Sequence, residues 1–189
     1  MSDLILVKHA APEVAVEVPP CRWSLSESGR LQCHELARRL ARYTPETVFA
    51  SHEPKAVQTA QAIASLLDLS PTIAPDLHEN DRDGLPFLSS EEVYHARIQD
   101  FFLRCDNRVM GRESANEAHS RFVTAVQRVL PNGGSRPMVI VTHGTVATLL
   151  VARANKLSPF LFWRDFRFSS FAVLSTPGFI LKDVVHPTS

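Results

Sequence analysis

Histidine, lysine and glutamate side chains follow short apolar runs at four places in this sequence. Lys8 and His9 follow the first run, Lys55 the second, Glu79 the third and His143 the fourth. Imidazole and ammonium groups placed together suit a phosphoryl group, whose charge is spread over three equatorial oxygens during transfer. The residue types therefore predict a site for a phosphorylated ligand, provided that the fold brings them together.

The four apolar runs predict strands of one sheet. They occupy residues 4–7, 47–50, 72–74 and 138–141, are too short for helices and show no alternation. Such runs are typical of strands that are covered on both faces, so we expect a buried, largely parallel sheet. Ligands of open α/β sheets bind beyond the carboxyl ends of the strands. The histidines, lysines and glutamate should therefore meet at one edge of the sheet.

Two crossover helices are predicted between the first three runs. In the first helix, apolar residues recur at helical spacing from Cys33 to Leu40, and Ser26 suits the N-cap position. In the second helix, Pro54 suits the first helical position and an apolar stripe continues to Leu67. Helices at these places are what parallel strand pairing requires.

Three further helices are predicted towards the C-terminus. Ser89 and Glu92 have the spacing of a capping box that would begin the first of them. The apolar pattern of residues 118–129 predicts the second, which residues 131–134 should end. Residues 146–154 are apolar nearly all round, which is typical of a helix covered on all sides.

The last part of the chain predicts a hairpin at the sheet edge. Its strands would be residues 171–174 and 179–181, with proline and glycine between them. No internal repeat and no long linker interrupts the sequence. We therefore expect one α/β domain over residues 1–189, a size that is sufficient for one buried core.

Charge and composition exclude several kinds of partner. The 20 basic residues equal the 20 acidic residues, so no net field would draw nucleic acid or an anionic membrane to the protein. No apolar run is long enough to cross a bilayer, and the first residues lack the features of a signal peptide. Three widely separated cysteines suit a reducing compartment. We predict a cytoplasmic protein; the oligomeric state stays open.

Several alternative chemistries lack their motifs. The eight histidines and three cysteines contain no HxxxH or CxxC pair, so no metal is predicted. A serine-hydrolase GxSxG elbow and a Walker phosphate loop are both missing from the sequence. The chemistry is therefore expected to proceed without a metal or another cofactor.

Five segments together resemble the histidine phosphatase, or phosphoglycerate-mutase-like, superfamily. LILVKHA at residues 4–10 is similar to the signature strand that ends in Arg-His-Gly. LSESGRLQ at 25–32 is similar to Leu-Thr-x-x-Gly-x-x-Gln, and SHEPKAVQTA at 51–60 to Ser-x-x-x-Arg-Ala-x-Gln-Thr-Ala. DLHEN at 76–80 resembles Leu-x-Glu, and VIVTHGTVATLL at 139–150 resembles the second histidine strand and its helix. All five occur in the family's order.

The resemblance implies a three-layer α/β/α sandwich and a catalytic role for three residues. His9 would attack phosphorus and form a transient phosphohistidine. Glu79 would give a proton to the leaving group and take one from water, a role that calls for a carboxyl group with a raised pKa. His143 would donate hydrogen bonds to the equatorial oxygens. The implied activity is metal-independent hydrolysis of a small phosphorylated molecule.

The residues that would bind phosphate depart from the family pattern. The resemblance assigns this role to Lys8, Lys55 and the helix start at Gly144, and Arg22 in the loop after the first strand is a further candidate. Lysine replaces the expected arginine at positions 8 and 55, and Ala10 replaces glycine. Lysine keeps the charge but loses the planar fork that grips two oxygens. Arg22 or Arg82 could supply that fork.

The sequence leaves alternative functions open. The departures at Lys8, Ala10 and Lys55 also fit a non-catalytic protein of the same fold that binds a phosphate ligand. A phosphoprotein (phosphohistidine) phosphatase is compact enough to match, whereas a phosphoglycerate mutase would need more substrate-covering chain. Trp23, Trp163 and the phenylalanines of residues 160–171 are either packing residues or an aromatic wall that selects an apolar substrate. The natural substrate stays open.

Overall fold

The computed structural model describes residues 3–130 and 136–187 and has one six-stranded sheet at its centre. The strands are β1 (Asp3–Lys8), β2 (Thr47–Ala50), β3 (Pro71–Ile73), β4 (Met138–Thr142), β5 (Phe171–Ser175) and β6 (Ile180–Val185). Their order is β3-β2-β4-β1-β5-β6, with β1 to β4 pairing in parallel and β5 and β6 antiparallel. The predicted, largely parallel sheet is confirmed.

Within the described residues, six α-helices cover the two faces of the sheet. They are α1 (Glu27–Leu40), α2 (Pro54–Leu66), α3 (Glu91–Leu103), α4 (Ala115–Val129), α5 (Gly144–Asn155) and α6 (Pro159–Asp165). Side chains alternate along β1, so that Ile5 and Val7 pack with α1 and α2, while Leu4 and Leu6 pack with the other helices. This arrangement is the three-layer α/β/α sandwich that the resemblance implies.

The first crossover helix begins where the sequence predicts and fixes the loop after β1. The side-chain oxygen of Ser26 accepts the N–H of Gly29 at 3.0 Å, which confirms the N-cap. A β-carbon at Gly29 would overlap the carbonyl oxygen of Ala11. Glycine therefore lets α1 approach the backbone that follows His9. The second crossover helix, α2, has Pro54 in its first turn as predicted.

Two boundary predictions were wrong. The third apolar run forms β3, but β3 is an edge strand that starts at Pro71, and Ile73 is 56% exposed rather than covered on both faces. Helix α3 is capped by Ser90, whose side chain accepts the N–H of Val93, and not by Ser89. Two adjacent serines offer the same local signal, and only the path of the chain chooses between them.

The remaining C-terminal predictions are confirmed in outline. The helix expected over residues 118–129 is α4, which begins at Ala115 behind a capping box of Ser114 and Glu117. The all-round apolar helix is α5 and is buried over most of its length, and β5 and β6 form the hairpin. The predicted stop at 131–134 lies outside the described residues. The sequence analysis missed the short, aromatic helix α6.

Candidate active site

Two histidines meet where the central strands end. In the parallel pair of β1 and β4, Lys8 is opposite Thr142, so His9 and His143 both come directly after their strands. The backbone N–H of His9 donates to the carbonyl of Thr142 at 3.0 Å. The two ring centroids are 5.1 Å apart and the rings are inclined by 64°. A single phosphoryl group is small enough to contact both rings.

The His9 ring presents one nitrogen that has no protein partner among the described residues. Its Nδ1 is 2.8 Å from the carbonyl oxygen of Ala10, an acceptor that keeps the ring proton on Nδ1. Burial lowers the pKa of His9 well below its usual value, and the charge of Lys55 lowers that pKa further. The ring is therefore neutral, with the lone pair on Nε2 free for attack.

His143 is fully buried and is held through its Nε2 atom. That nitrogen is 2.9 Å from Oγ of Ser51 and 3.5 Å from Oε1 of Glu53. Burial lowers the pKa of His143 well below its usual value, and the charge of Lys55 adds to the effect. Its Nδ1 is buried and has no hydrogen-bond partner in the described part of the chain. A ligand or an ordered water would satisfy this atom.

Glu79 is an ionised carboxylate at the first turn of α5. Its oxygens accept the N–H groups of Thr145 at 3.1 Å and Val146 at 3.2 Å, and also that of Asn80. Burial raises the pKa of Glu79, but the charge of Arg82 and these N–H donors outweigh it, so the pKa lies below its usual value. The expectation of a raised pKa was therefore wrong.

Lys8 lies in an aromatic environment beside the two histidines. Its Nζ donates to the carbonyl of Phe166 at 2.8 Å and is 4.8 Å from the ring centroid of Phe168. Burial lowers the pKa of Lys8 to about 8, despite the opposing charge of Glu79. A β-carbon at position 144 would be 3.0 Å from this Nζ. Gly144 therefore makes room for the lysine side chain.

Lys55 is buried at the start of α2 and is held by two oxygen atoms. Its Nζ donates to a carboxylate oxygen of Glu53 and, at 2.7 Å, to the carbonyl of Pro20. An ammonium group has three protons, so one remains for a ligand. Its charge reaches both histidines, since it lowers the pKa of His9 and of His143.

The structure distinguishes the two candidate arginines. Arg82 joins the cluster, because its Nη2 is 3.4 Å from Oε2 of Glu79 and 3.3 Å from Oγ1 of Thr145. Arg22 is exposed in a short turn, and within residues 3–130 and 136–187 its side chain makes no hydrogen bond or ion pair with the cluster. Of the two, Arg82 is the guanidinium that the fold brings to the site.

The sequence analysis gave no role to Ser51 and Glu53, which follow β2 and contact His143. Glu53 stands between two residues of a recognised motif, and a carboxylate beside a lysine was an available signal. Phe168, whose ring centroid is 5.3 Å from that of His9, is one of the phenylalanines of residues 160–171 that the sequence left as either packing residues or an aromatic wall. The sequence did not distinguish it from the others, because the segment before β5 carries several phenylalanines.

An aromatic cavity opens beside the cluster. It has a volume of about 440 Å³, and its lining includes Lys8, Trp163 and Phe168 together with the exposed arginines Arg164 and Arg167. Because Phe168 also contacts the His9 ring, the cavity adjoins the candidate nucleophile. The described residues contain no group of three or more histidine, cysteine or acidic side chains placed to hold a metal ion. None of their helices is long and apolar enough to cross a membrane.

A mostly parallel sheet that joins two histidines at neighbouring strand ends defines a protein of the phosphoglycerate-mutase-like α/β class. The chain belongs to the histidine phosphatase superfamily (branch 1), whose family model matches residues 4–175. It is also 30% identical over 138 residues to phosphoglycerate mutase-like protein 4 of Arabidopsis thaliana. That match covers 69% of this chain and 60% of the plant protein, so the chain spans less than two thirds of the length of this relative.

Solved structures of three phosphatases share the fold. A phosphoserine phosphatase of Entamoeba histolytica in complex with 3-phosphoglyceric acid superposes with a TM-score of 0.74 at 15% identity, covering 97% of this chain and 96% of that one. The α-ribazole phosphatase of Shigella flexneri gives 0.72 at 18% identity, with 98% and 96% covered. A mycobacterial glucosyl-3-phosphoglycerate phosphatase gives 0.70 at 20% identity, with 90% and 88% covered.

Proposed function

We propose that this protein is a phosphomonoesterase that hydrolyses a small phosphorylated molecule through a phosphohistidine on His9. One observation carries the proposal: a neutral, buried His9 ring keeps its proton on Nδ1 and faces the second histidine, His143, at 5.1 Å. Membership of the superfamily and the phosphatases among the structural neighbours support it. Metal-independent action and a cytoplasmic location belong to the same proposal.

The first step transfers the phosphoryl group to the enzyme. Nε2 of His9 attacks phosphorus as the bond to the leaving oxygen breaks, and that oxygen must receive a proton. Because Glu79 is ionised in the free protein, the proton arrives on the substrate, as the monoanion of the ester. Glu79 receives this proton from the phosphoryl group and passes it to the leaving oxygen, which departs as an alcohol.

The second step releases phosphate. Glu79 takes a proton from water, the resulting hydroxide attacks phosphorus, and the bond between phosphorus and Nε2 breaks. The proton returns to the phosphate, which leaves as its monoanion, while His9 becomes neutral again. Lys8, Lys55, Arg82 and His143 surround the reaction with positive charge and hydrogen-bond donors.

The aromatic cavity is the proposed site of the leaving group. It lies next to His9 and carries the ring of Phe168, which is 40% exposed and therefore available for contact. Stacking on such a ring favours a flat, aromatic leaving group over a small alkyl one. This preference is the property that a substrate panel measures first.

The experiment is an assay of the purified protein against aryl phosphates, alkyl phosphates, phosphorylated metabolites and a phosphohistidine-containing protein, at several pH values and with a chelator. Release of phosphate that persists in the chelator supports a metal-independent phosphomonoesterase. Activity on the phosphoprotein alone would instead identify a phosphohistidine phosphatase. Loss of activity in the chelator would point to a metal-assisted reaction.

A non-catalytic phosphate binder of the same fold is the second candidate. It is favoured by the bonds that already hold the two lysines, since Lys8 donates to Phe166 and Lys55 to Glu53 and Pro20. Such ammonium groups can bind a phosphate, but they do not hold a transition state through the two parallel hydrogen bonds that a planar guanidinium group forms. Tight binding of inorganic phosphate without turnover of any ester in the panel would establish this function.

A further inference from the structure

The carboxylate of Glu53 contacts three members of the candidate active site. Its Oε2 accepts a proton from Nζ of Lys55, and its Oε1 accepts the backbone N–H of Glu79 at 2.9 Å. The same Oε1 is 3.5 Å from Nε2 of His143. Glu53 is only 3% exposed, so these groups replace the water that would otherwise solvate it.

A buried carboxylate is unfavourable unless its oxygens accept hydrogen bonds or pair with a positive charge. Removal of one such partner leaves the charge uncompensated in surroundings of low dielectric constant. The Lys55 ammonium already has a carbonyl acceptor in Pro20. Glu53 therefore does more than neutralise Lys55, because its other oxygen lies between the Glu79 backbone and the His143 ring.

The two nitrogens of His143 have opposite surroundings. Nε2 faces the oxygens of Ser51 and Glu53, both of which can accept a proton, whereas the buried Nδ1 has no partner in the described structure. A neutral ring with its proton on Nε2 offers only a lone pair at Nδ1. That lone pair would repel a phosphate oxygen, so in this tautomer His143 can donate to phosphate at Nδ1 only as the imidazolium.

We propose that Glu53 is a positioning residue whose carboxylate holds the Nε2 proton of His143, so that the ring gains a second proton from solvent when phosphate binds and donates Nδ1–H to it. The proposal rests on the phosphate site of the proposed function. The charged and titratable groups that face His143 act in both directions: Glu53 and Glu79 favour the imidazolium, and His9, Lys55, His78 and Arg82 oppose it. A phosphate dianion that binds beside the ring adds negative charge, which shifts His143 from the neutral form to the imidazolium.

Nitrogen NMR of ¹⁵N-histidine-labelled protein with inorganic phosphate tests the proposal without requiring turnover. In the wild type, His143 should be neutral in the free protein and carry protons on both nitrogens in the phosphate complex. A His143 that stays neutral with phosphate bound would overturn the proposal, and this test needs no variant. The proposed function is judged separately by ester hydrolysis.

The variant Glu53→Gln tests the carboxylate itself. The amide oxygen can still accept the Glu79 N–H, so this change removes the charge and largely keeps the shape. We expect His143 to remain neutral in the phosphate complex and phosphate affinity to fall by about 10- to 100-fold, as for the loss of a hydrogen bond to a charged group. Unchanged His143 protonation, or tighter phosphate binding, would refute the assignment.

Two further variants separate Glu53 from its neighbours. Glu46→Gln changes an exposed glutamate that pairs with Arg136 on the surface, and should alter neither the His143 signals nor phosphate affinity. In a Lys55→Met background, Glu53→Gln should still prevent protonation of His143. If the effect of Glu53→Gln disappears in that background, the residue acts only through Lys55 and the proposal is wrong.

Discussion

The carboxylate of Glu79 accepts the backbone N–H of Thr145 at 3.1 Å, so the candidate proton carrier is held on the helix that follows His143. This bond joins the loop after β3 to the first turn of α5. It also places a negative charge at a helix N-terminus, where the peptide dipoles stabilise the ionised form. The reaction rate should therefore change with pH through the protonation of the substrate as well as through that of the enzyme.

Replacement of Glu79 by glutamine should slow turnover most for esters with poor leaving groups. An aryl oxide leaves without help, whereas an alkoxide needs the proton that Glu79 supplies. We expect a loss of about 10²-fold or more for an alkyl phosphate and a smaller loss for p-nitrophenyl phosphate. The slope of log kcat/KM against leaving-group pKa, measured for both proteins, checks this. An equal loss of kcat/KM for all leaving groups would show that Glu79 does not transfer the proton.

Replacement of His9 by alanine should abolish turnover and leave the fold intact. The ring is the nucleophile of the first step in the proposed scheme, so kcat should fall by about 10³-fold or more. Wild-type protein mixed with labelled ester and quenched in alkali should carry acid-labile phosphate, and the variant should carry none. His34→Ala, a change of an exposed histidine on α1, is the control and should retain full activity. Labelled phosphate on the His9 variant would contradict the scheme.

Replacement of Lys8 by methionine should weaken phosphate binding and yet stabilise the protein at neutral pH. The pKa of Lys8 falls from its usual 10.5 to about 8 in the folded protein. Below pH 8 the charge is therefore unfavourable to folding by up to about 3 kcal/mol. Because the unfolded chain binds more protons between pH 8 and 10.5, wild-type stability should rise with pH across that interval.

Denaturation at several pH values and phosphate titration check both effects of Lys8→Met. The difference in unfolding free energy between variant and wild type should shrink as pH rises through this interval. Phosphate affinity of the wild type should decline as pH rises through about 8, where Lys8 loses its proton. Lys182→Met, a change of an exposed lysine paired with Asp3, is the control and should alter neither quantity appreciably. Unchanged affinity and turnover in Lys8→Met would exclude Lys8 from the site.

Replacement of Lys8 by arginine, the residue of the family pattern, should lower catalytic efficiency by about tenfold. The side chain has little space, because its Nζ already contacts Phe166 and Phe168 and lies against Gly144. The longer, planar head group would displace Phe168 or turn away from the phosphate. Steady-state kinetics with p-nitrophenyl phosphate measure the change. Addition of Phe168→Ala should restore part of the loss, and a rise in efficiency in Lys8→Arg alone would show that the space is sufficient.

Replacement of Phe168 by leucine should reduce the preference for aryl over alkyl phosphates. The substitution keeps an apolar side chain but removes the aromatic face, an interaction that contributes about 0.5 to 1.5 kcal/mol in aromatic pairs. The ratio of kcat/KM between the two substrate types should fall by roughly two- to tenfold. Phe87→Leu is a matched control, because Phe87 is equally exposed at 40% and its ring contacts Trp23 instead. An unchanged ratio would place the leaving group elsewhere.

The sequence by itself determined which residues stand at the strand ends. The short apolar runs before His9 and His143 mark buried strands through local composition, and parallel pairing then brings their ends together. Helix starts at Ser26 and Pro54 follow equally from local hydrogen bonding and backbone geometry. The edge position of β3 could not be predicted from the sequence, because the order of all the strands in the sheet decides how many neighbours each strand has.

Only the tertiary structure decided the electrostatic state of the site. Glu79 has a lowered pKa because Arg82 and the N–H groups of α5 surround it, although burial acts in the opposite direction. Lys8 has a lowered pKa because it is buried, and the charge of Arg82 acts in the same direction. Glu53 stands one residue before Pro54 in sequence, and its contacts with His143 and Glu79 exist only after three strands have assembled. Charge interactions depend on distance and burial in space, which spacing along the chain does not specify.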